Sequence, residues 1–216
     1  MSVRPRPTAA DYRRRRMVAA LVAIAVVVVV VLGVALVAGG GGDSDRAVPT
    51  TLLTTLPPST TLVPPTVTMF GDSVMLGAAD ALVQTIGPDR TTVDAAESRQ
   101  FAAGVDEIQS FKDQGKLGDI VVVQLGTNGT INPDDFNRMM DILKGHKVLL
   151  VNAKVPRVWE DEVNQVLADG AKHYKNTVLV DWHDLGNEHP EWFYDDGLHL
   201  RPDGAQAYAQ LILSKL

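Results

Sequence analysis

The chain has 216 residues, is 45% hydrophobic and carries a net charge of −6, enough for one medium domain with appendages. It contains no cysteine, which excludes a disulfide framework, a thiolate metal site and a cysteine nucleophile. Residues 1–42 hold six arginines and one aspartate, net +5, so the remainder carries −11; a segment that acidic is a poor partner for nucleic acid or anionic lipid.

Residues 1–16 are polar and include Arg4, Arg6 and Arg13 to Arg16. Met17 to Ala38 is then an uncharged run of 22 residues with six consecutive valines at 26–31. As a helix it is about 33 Å long, enough to cross a bilayer core of about 30 Å. The arginines on its N-terminal side predict a cytoplasmic tail at 1–16, a transmembrane anchor at 17–38 and an extracytoplasmic remainder. A cleavable signal peptide is the rival reading. It calls for an apolar region of about 7–15 residues and an A-x-A-like site, which Leu36-Val37-Ala38 fits poorly, so the anchor is read as uncleaved.

Residues 39–66 open with four glycines and carry Pro49, Pro57, Pro58, Pro64 and Pro65 among many threonines. Such a Gly/Pro/Thr-rich linker cannot bury a core. It is predicted to be a disordered, polyproline-like tether reaching up to roughly 70 Å, its threonines O-glycosylated or simply spacing.

From Thr66 onward the pattern alternates, predicting one domain over 67–216. Strands are expected at 66–70, 91–95, 119–125, 147–153 and 177–182, and helices at about 73–86, 100–114, 133–144, 160–174 and 202–215. Fully apolar runs such as Ile120 to Val123 and Val148 to Val151 suit a parallel sheet covered on both faces. In the first helix Met75, Leu76, Ala79, Leu82 and Val83 are expected to share the buried face. Open α/β sheets place their sites at the C-terminal strand ends, which singles out the loops after 70, 95, 125, 153 and 182.

Ser73 falls where the first strand, Val67-Thr68-Met69-Phe70-Gly71, turns into the first helix. There its N–H faces an open crevice and the helix dipole favours developing negative charge. The competing reading is an ordinary helix cap. The loop after 125 is Gly126-Thr127-Asn128-Gly129: its glycines let backbone approach a ligand and Asn128 offers an amide donor, although Asn-Gly is also an ordinary turn. After 95 comes Glu97-Ser98-Arg99-Gln100, where Ser98 reads equally as an N-cap. The last loop, Asp195-Asp196-Gly197-Leu198-His199-Leu200, puts a carboxylate three residues before a histidine, so that Asp196 can hold Nδ1–H and aim Nε2 outward. His146, His173, His183 and His189 lack such a neighbour and read as surface or structural. A metal reading of Asp72, Asp196 and His199 is weaker, because no His-x-His or His-x₃-His pair accompanies them. The G-x-S-x-G elbow of α/β-hydrolases is excluded by Met75, and no G-x-G-x-x-G follows a strand.

Gly71-Asp72-Ser73, Gly126-x-Asn128 and Asp196-x-x-His199, in that order, resemble the three sequence blocks of the SGNH (GDSL) hydrolase family across essentially all of 67–216. The resemblance implies a flavodoxin-like three-layer α/β/α sandwich with a five-stranded parallel sheet, with Ser73 as nucleophile, His199 as base and Asp196 as its orienter. It also implies an oxyanion hole from the Ser73 N–H, a second-block N–H at Ser98 and the Asn128 side chain. No metal or cofactor is implied. One departure is Ser98, where the wider family usually has glycine. The stretches Asp94-Ala95-x-x-Ser98-Arg99-Gln100 and Asn152-x-x-Val155-Pro156-Arg157-x-Trp159 are similar to the extracytoplasmic domains of peptidoglycan O-acetyltransferases. Those domains commonly follow a multi-helix membrane acyltransferase, whereas this chain has one predicted span, so a transferase role calls for a separate membrane protein to deliver the acyl group.

The expected function is a membrane-anchored extracytoplasmic serine esterase that removes O-acyl, chiefly O-acetyl, groups from cell-envelope glycans. The alternatives are acetyl transfer onto peptidoglycan or another wall polysaccharide, and a non-catalytic wall-binding domain. Arg99, Gly126 and Trp159 are expected to contact substrate. Trp192, Phe193 and Tyr194 are candidates for stacking on sugar rings, with packing expected for at least half of these aromatics.

Overall fold

The computed structural model describes residues 63–216. The tail, the anchor and most of the linker read from the sequence lie outside the described residues. Among the described residues no helix is long and apolar enough to cross a membrane.

Five parallel strands, β1 (Val67–Gly71), β2 (Thr91–Ala95), β3 (Ile120–Gln124), β4 (Lys147–Val151) and β5 (Thr177–Val180), form one sheet in the order β2-β1-β3-β4-β5. The alternation of side chains along each strand sorts the apolar residues into two cores. Val67, Met69, Ile120, Val122, Leu149 and Val151 enter one, while Phe70, Val121, Val123, Val148 and Leu150 enter the other. The first core is covered by α1 (Ser73–Ile86) and α6 (Pro202–Leu213), joined by Trp182 of the short α5 (Trp182–Glu188). The second is covered by α2 (Phe101–Asp113), α3 (Pro133–Ile142) and α4 (Glu160–His173). Each fully buried side chain of this kind contributes about 1.5–3 kcal/mol, and two covered faces explain why the central strands are apolar at every position.

The strand order reverses direction at β1 and β3, the switch point where sheets of this order open a crevice. Register brings the C-terminal ends of three strands level there: Gly71 pairs with Ala95 on one side and Gln124 on the other. The loops that follow β2, β1 and β3 therefore emerge side by side.

Two sequence expectations are corrected. The buried stripe of α1 is Val74, Met75, Ala78, Leu82 and Ile86, and Leu76 is 42% exposed. Nearly every position from 74 to 83 is apolar or small, so periodicity alone leaves the face ambiguous. Packing against α6 and β2 selects it. The fifth strand stops at Val180, because the Asp181 carboxylate accepts the Asp184 N–H at 3.2 Å and caps α5, an element too short to read from periodicity.

Candidate active site

The turn from β1 into α1 is built by Asp72. This fully buried residue is the N-cap of α1, and its carboxylate accepts the Val74 N–H at 3.1 Å. Ser73 is thus the first helical residue: its hydroxyl is released from capping, and helix geometry supplies no intrahelical partner for its N–H. Burial raises the Asp72 carboxyl above its ordinary value, against the opposing bonds from Thr127, Val74 and Gln124. Burial, then the Asp72 charge, likewise pushes the Tyr208 phenol upward.

The loop before α6 meets this turn across the sheet end. His199 Nε2 lies 3.0 Å from Ser73 Oγ, and His199 Nδ1 lies 2.6 Å from Asp196 Oδ2. The other Asp196 oxygen accepts the N–H groups of Leu198 at 2.9 Å and His199 at 3.0 Å, which fixes the carboxylate relative to the ring. Partial desolvation pushes the Asp196 carboxyl up, but the His199 ring and these two N–H donors outweigh it and hold it at about 2. A carboxylate ionised at neutral pH and placed on Nδ1 favours the tautomer with its proton on that nitrogen, which leaves Nε2 as an acceptor facing Ser73 Oγ.

Ser73 and His199 open into a crevice of about 610 Å³ lined also by Leu76, Gly77, Glu97, Ser98, Asn128 and Leu198. Ser98 occupies the left-handed region at φ 57°, the single non-glycine residue to do so among the described residues. It caps nothing, since α2 begins at Phe101 with Gln100 in the N-cap position. Asn128 Nδ2 donates at 3.3 Å to both the Arg99 carbonyl and Thr127 Oγ1. Ser73, Ser98 and Asn128, carried at the ends of β1, β2 and β3, thus line one crevice beside Ser73 Oγ.

No protein-family model matches the chain. It is 34% identical over 149 residues to the O-acetyltransferase OatA of Staphylococcus aureus (strain NCTC 8325 / PS 47), which covers 68% of this chain and 24% of that protein. It is 32% identical over 153 residues to the peptidoglycan O-acetyltransferase OatA of Listeria monocytogenes, covering 71% and 24%. The chain therefore spans about a quarter of the length of the curated relatives it matches. Among solved structures, the C-terminal catalytic domain of Streptococcus pneumoniae peptidoglycan O-acetyltransferase A superposes with a TM-score of 0.62 at 24% identity, over 69% of this chain and 90% of that one. A lipase/acylhydrolase from Enterococcus faecalis gives 0.59 at 20%, over 69% and 94%. The domain belongs to the SGNH (GDSL) hydrolase family.

The remaining residues singled out from the sequence are distributed unevenly around the SGNH crevice. The Arg99 side chain is only 10% exposed and is turned into the protein: Nη1 meets the Asp94 carboxylate at 2.6 Å and donates to the carbonyls of Asp94 and Gly71 at 2.9 and 3.3 Å. These contacts brace the C-terminal ends of β1 and β2. Gly126 is buried at φ 131°, and a Cβ there would meet Val163 Cγ1 at 2.5 Å, so close packing of α4 accounts for this glycine. Trp159 lines a second groove with Val155 to Asp161, beyond Pro156, which borders Gly197 of the turn that carries Asp196 and His199. Trp192 stacks between Trp182 and His189, Phe193 is buried, and Tyr194 is half exposed beneath Arg201. His146 contacts the Gly118 carbonyl, His183 pairs with Glu160 and Asp184, and His189 pairs with Glu191. Leu76, Gly77, Glu97 and Leu198 were not singled out as site residues. Only the orientation of α1 and the path of two loops bring them to the crevice.

Proposed function

We propose that Ser73, His199 and Asp196 form a catalytic triad, and that this SGNH domain takes an acetyl group onto Ser73 and passes it to a hydroxyl of a cell-wall glycan such as peptidoglycan. One observation carries this reading: the unbroken relay from Asp196 through His199 to Ser73 Oγ, open to a crevice at the switch point of the sheet. His199 Nε2 takes the hydroxyl proton as Ser73 Oγ attacks the acyl carbonyl carbon. The tetrahedral oxyanion is met by the N–H groups of Ser73 and the Ser98 loop and by the Asn128 amide, whose long 3.3 Å bond to the Arg99 carbonyl opens to free one N–H, each donor worth roughly 10²–10³ in turnover. Collapse expels the leaving oxygen, which takes the proton from His199 and leaves acyl-Ser73. His199 then deprotonates the acceptor hydroxyl, which attacks the acyl carbon and returns Ser73 with its proton. The relatives, named as O-acetyltransferases, support a sugar hydroxyl as acceptor.

Hydrolysis is the second reading. The side chains of His199 and Asp196 are 44% and 48% exposed, so water reaches the base directly. In either case the apolar run 17–38 would hold the chain in the bilayer with residues 67–216 outside the cell, and a separate membrane protein is a candidate acyl donor. The full chain in detergent is expected to release acetate from an activated acetyl ester and, given soluble peptidoglycan fragments, to yield acetylated glycan detectable by mass spectrometry. Ser73→Ala is expected to do neither. Equal acetate release by both proteins refutes the acyl-serine mechanism, and acetate without acetylated glycan selects hydrolysis.

A further inference from the structure

Beneath the crevice lies a buried polar junction that the mechanism above does not use. Asp72 is fully buried and Thr127 is 4% exposed. One Asp72 oxygen accepts the Val74 N–H, while the other accepts the Thr127 hydroxyl in a short bond. A threonine hydroxyl has one proton and two lone pairs. With that proton committed to Asp72, Thr127 Oγ1 presents only lone pairs to Asn128 Nδ2, 3.3 Å away. The second acceptor of the same amide, the Arg99 carbonyl, belongs to the loop after β2 and is not linked to the nucleophile by this carboxylate.

We propose that Thr127 is a positioning residue for acyl transfer, its hydroxyl tying the Asn128 amide to the strand–helix turn that carries Ser73. This rests on the acyl-serine reading above. The carboxylate that starts the nucleophile's helix and the hydroxyl that aims an oxyanion donor are one hydrogen-bonded unit, so nucleophile and donor keep a fixed separation. Burial makes the unit stiff: bonds to a charged group are strong in a low-dielectric interior, and neither partner has water as a substitute. Thr127 touches neither substrate nor reacting atom; it acts through Asn128.

The test uses the full chain in detergent and an activated acetyl ester. Thr127→Val keeps the shape of the side chain and removes the hydroxyl. It is expected to lower kcat about 10- to 100-fold with KM nearly unchanged, since misplacement of one donor is felt in the transition state rather than in binding. Thr127→Ser restores the hydroxyl and is expected to return kcat to within about threefold of the original. In an Asn128→Ala background Thr127→Val is expected to cost almost nothing more, because the group it positions is gone. If the valine variant does not fold by circular dichroism, Thr127→Cys, with a weaker donor of similar size, carries the same cycle. An unchanged kcat in Thr127→Val overturns the proposal, as does an equal loss with and without Asn128. An original chain that forms no acyl-Ser73 overturns the acyl-serine reading, and this role with it; an active chain indifferent to Thr127 overturns this role alone.

Discussion

Replacing Asp196 by asparagine isolates the orienting role of its carboxylate. The asparagine Oδ1 can still accept the Leu198 and His199 N–H groups, at 2.9 and 3.0 Å in the present turn, so the loop keeps its shape. The second oxygen, now 2.6 Å from His199 Nδ1, becomes an NH₂ group and can only donate. His199 must then accept at Nδ1 and carry its proton on Nε2, the atom 3.0 Å from Ser73 Oγ, where it no longer works as a base. Where the carboxylate of such a triad is buried, this exchange costs roughly 10⁴ in kcat. Here both side chains are nearly half exposed, and water stabilises part of the imidazolium charge, so the expected loss is about 10²–10³. The rate of acyl-Ser73 formation from an activated ester measures it, and the histidine ring nitrogens in an NMR spectrum report the tautomer. A loss below about tenfold, with the tautomer switched, refutes the claim that the carboxylate sets the state of the base.

Other expectations follow from local geometry. Ser98 sits at φ 57°, so Ser98→Gly should stabilise the domain by up to about 1 kcal/mol and Ser98→Val should destabilise it by more than that, as read by urea unfolding. Gly126→Ala meets both a φ of 131° and Val163 Cγ1 at 2.5 Å and should cost about 2–4 kcal/mol in the same assay. Burial pushes the His183 ring down, but Asp184 and Glu160 outweigh it and raise it above 6.5. Its contribution is therefore complete below that value and lost as pH rises through the raised folded value, so the melting temperature should fall as pH rises above 6.5, and fall less in His183→Gln. Asp196 behaves in the opposite sense. Held at about 2 against an ordinary 3.8, it stabilises the fold above 3.8 and loses that effect as pH falls toward 2, a loss absent from Asp196→Asn acid titrations.

Much of the fold was legible because its signals are local. Strand β2 and helix α1 fall at the residues the pattern predicts, 91–95 and 73–86, and the uninterrupted apolar runs of β3 and β4 already imply helices on both faces. The candidate site was legible through residue types at strand ends. Ser73, Asn128, Asp196 and His199 are residue types able to attack, donate or move a proton, and the resemblance to SGNH hydrolases named them together. The aim itself was not legible. Arg99 looks like a substrate ligand in sequence, but its Nη1 is held by the Asp94 carboxylate and the carbonyls of Asp94 and Gly71, and the contact to Gly71 exists only once β1 and β2 pair.

What the sequence alone determined is the succession of strands and helices and the chemical groups at each strand end, since hydrophobic period and turn chemistry act over a few residues. Tertiary structure alone decided which side chain caps α1, which face of that helix is buried, and that Ser98 adopts a left-handed backbone. It also joined Thr127 to Asp72, 55 positions away. The reason is directional: a hydrogen bond or a packed methyl depends on where two distant segments place their atoms to within an ångström. Only closure of the sheet at β1 and β3 sets that distance.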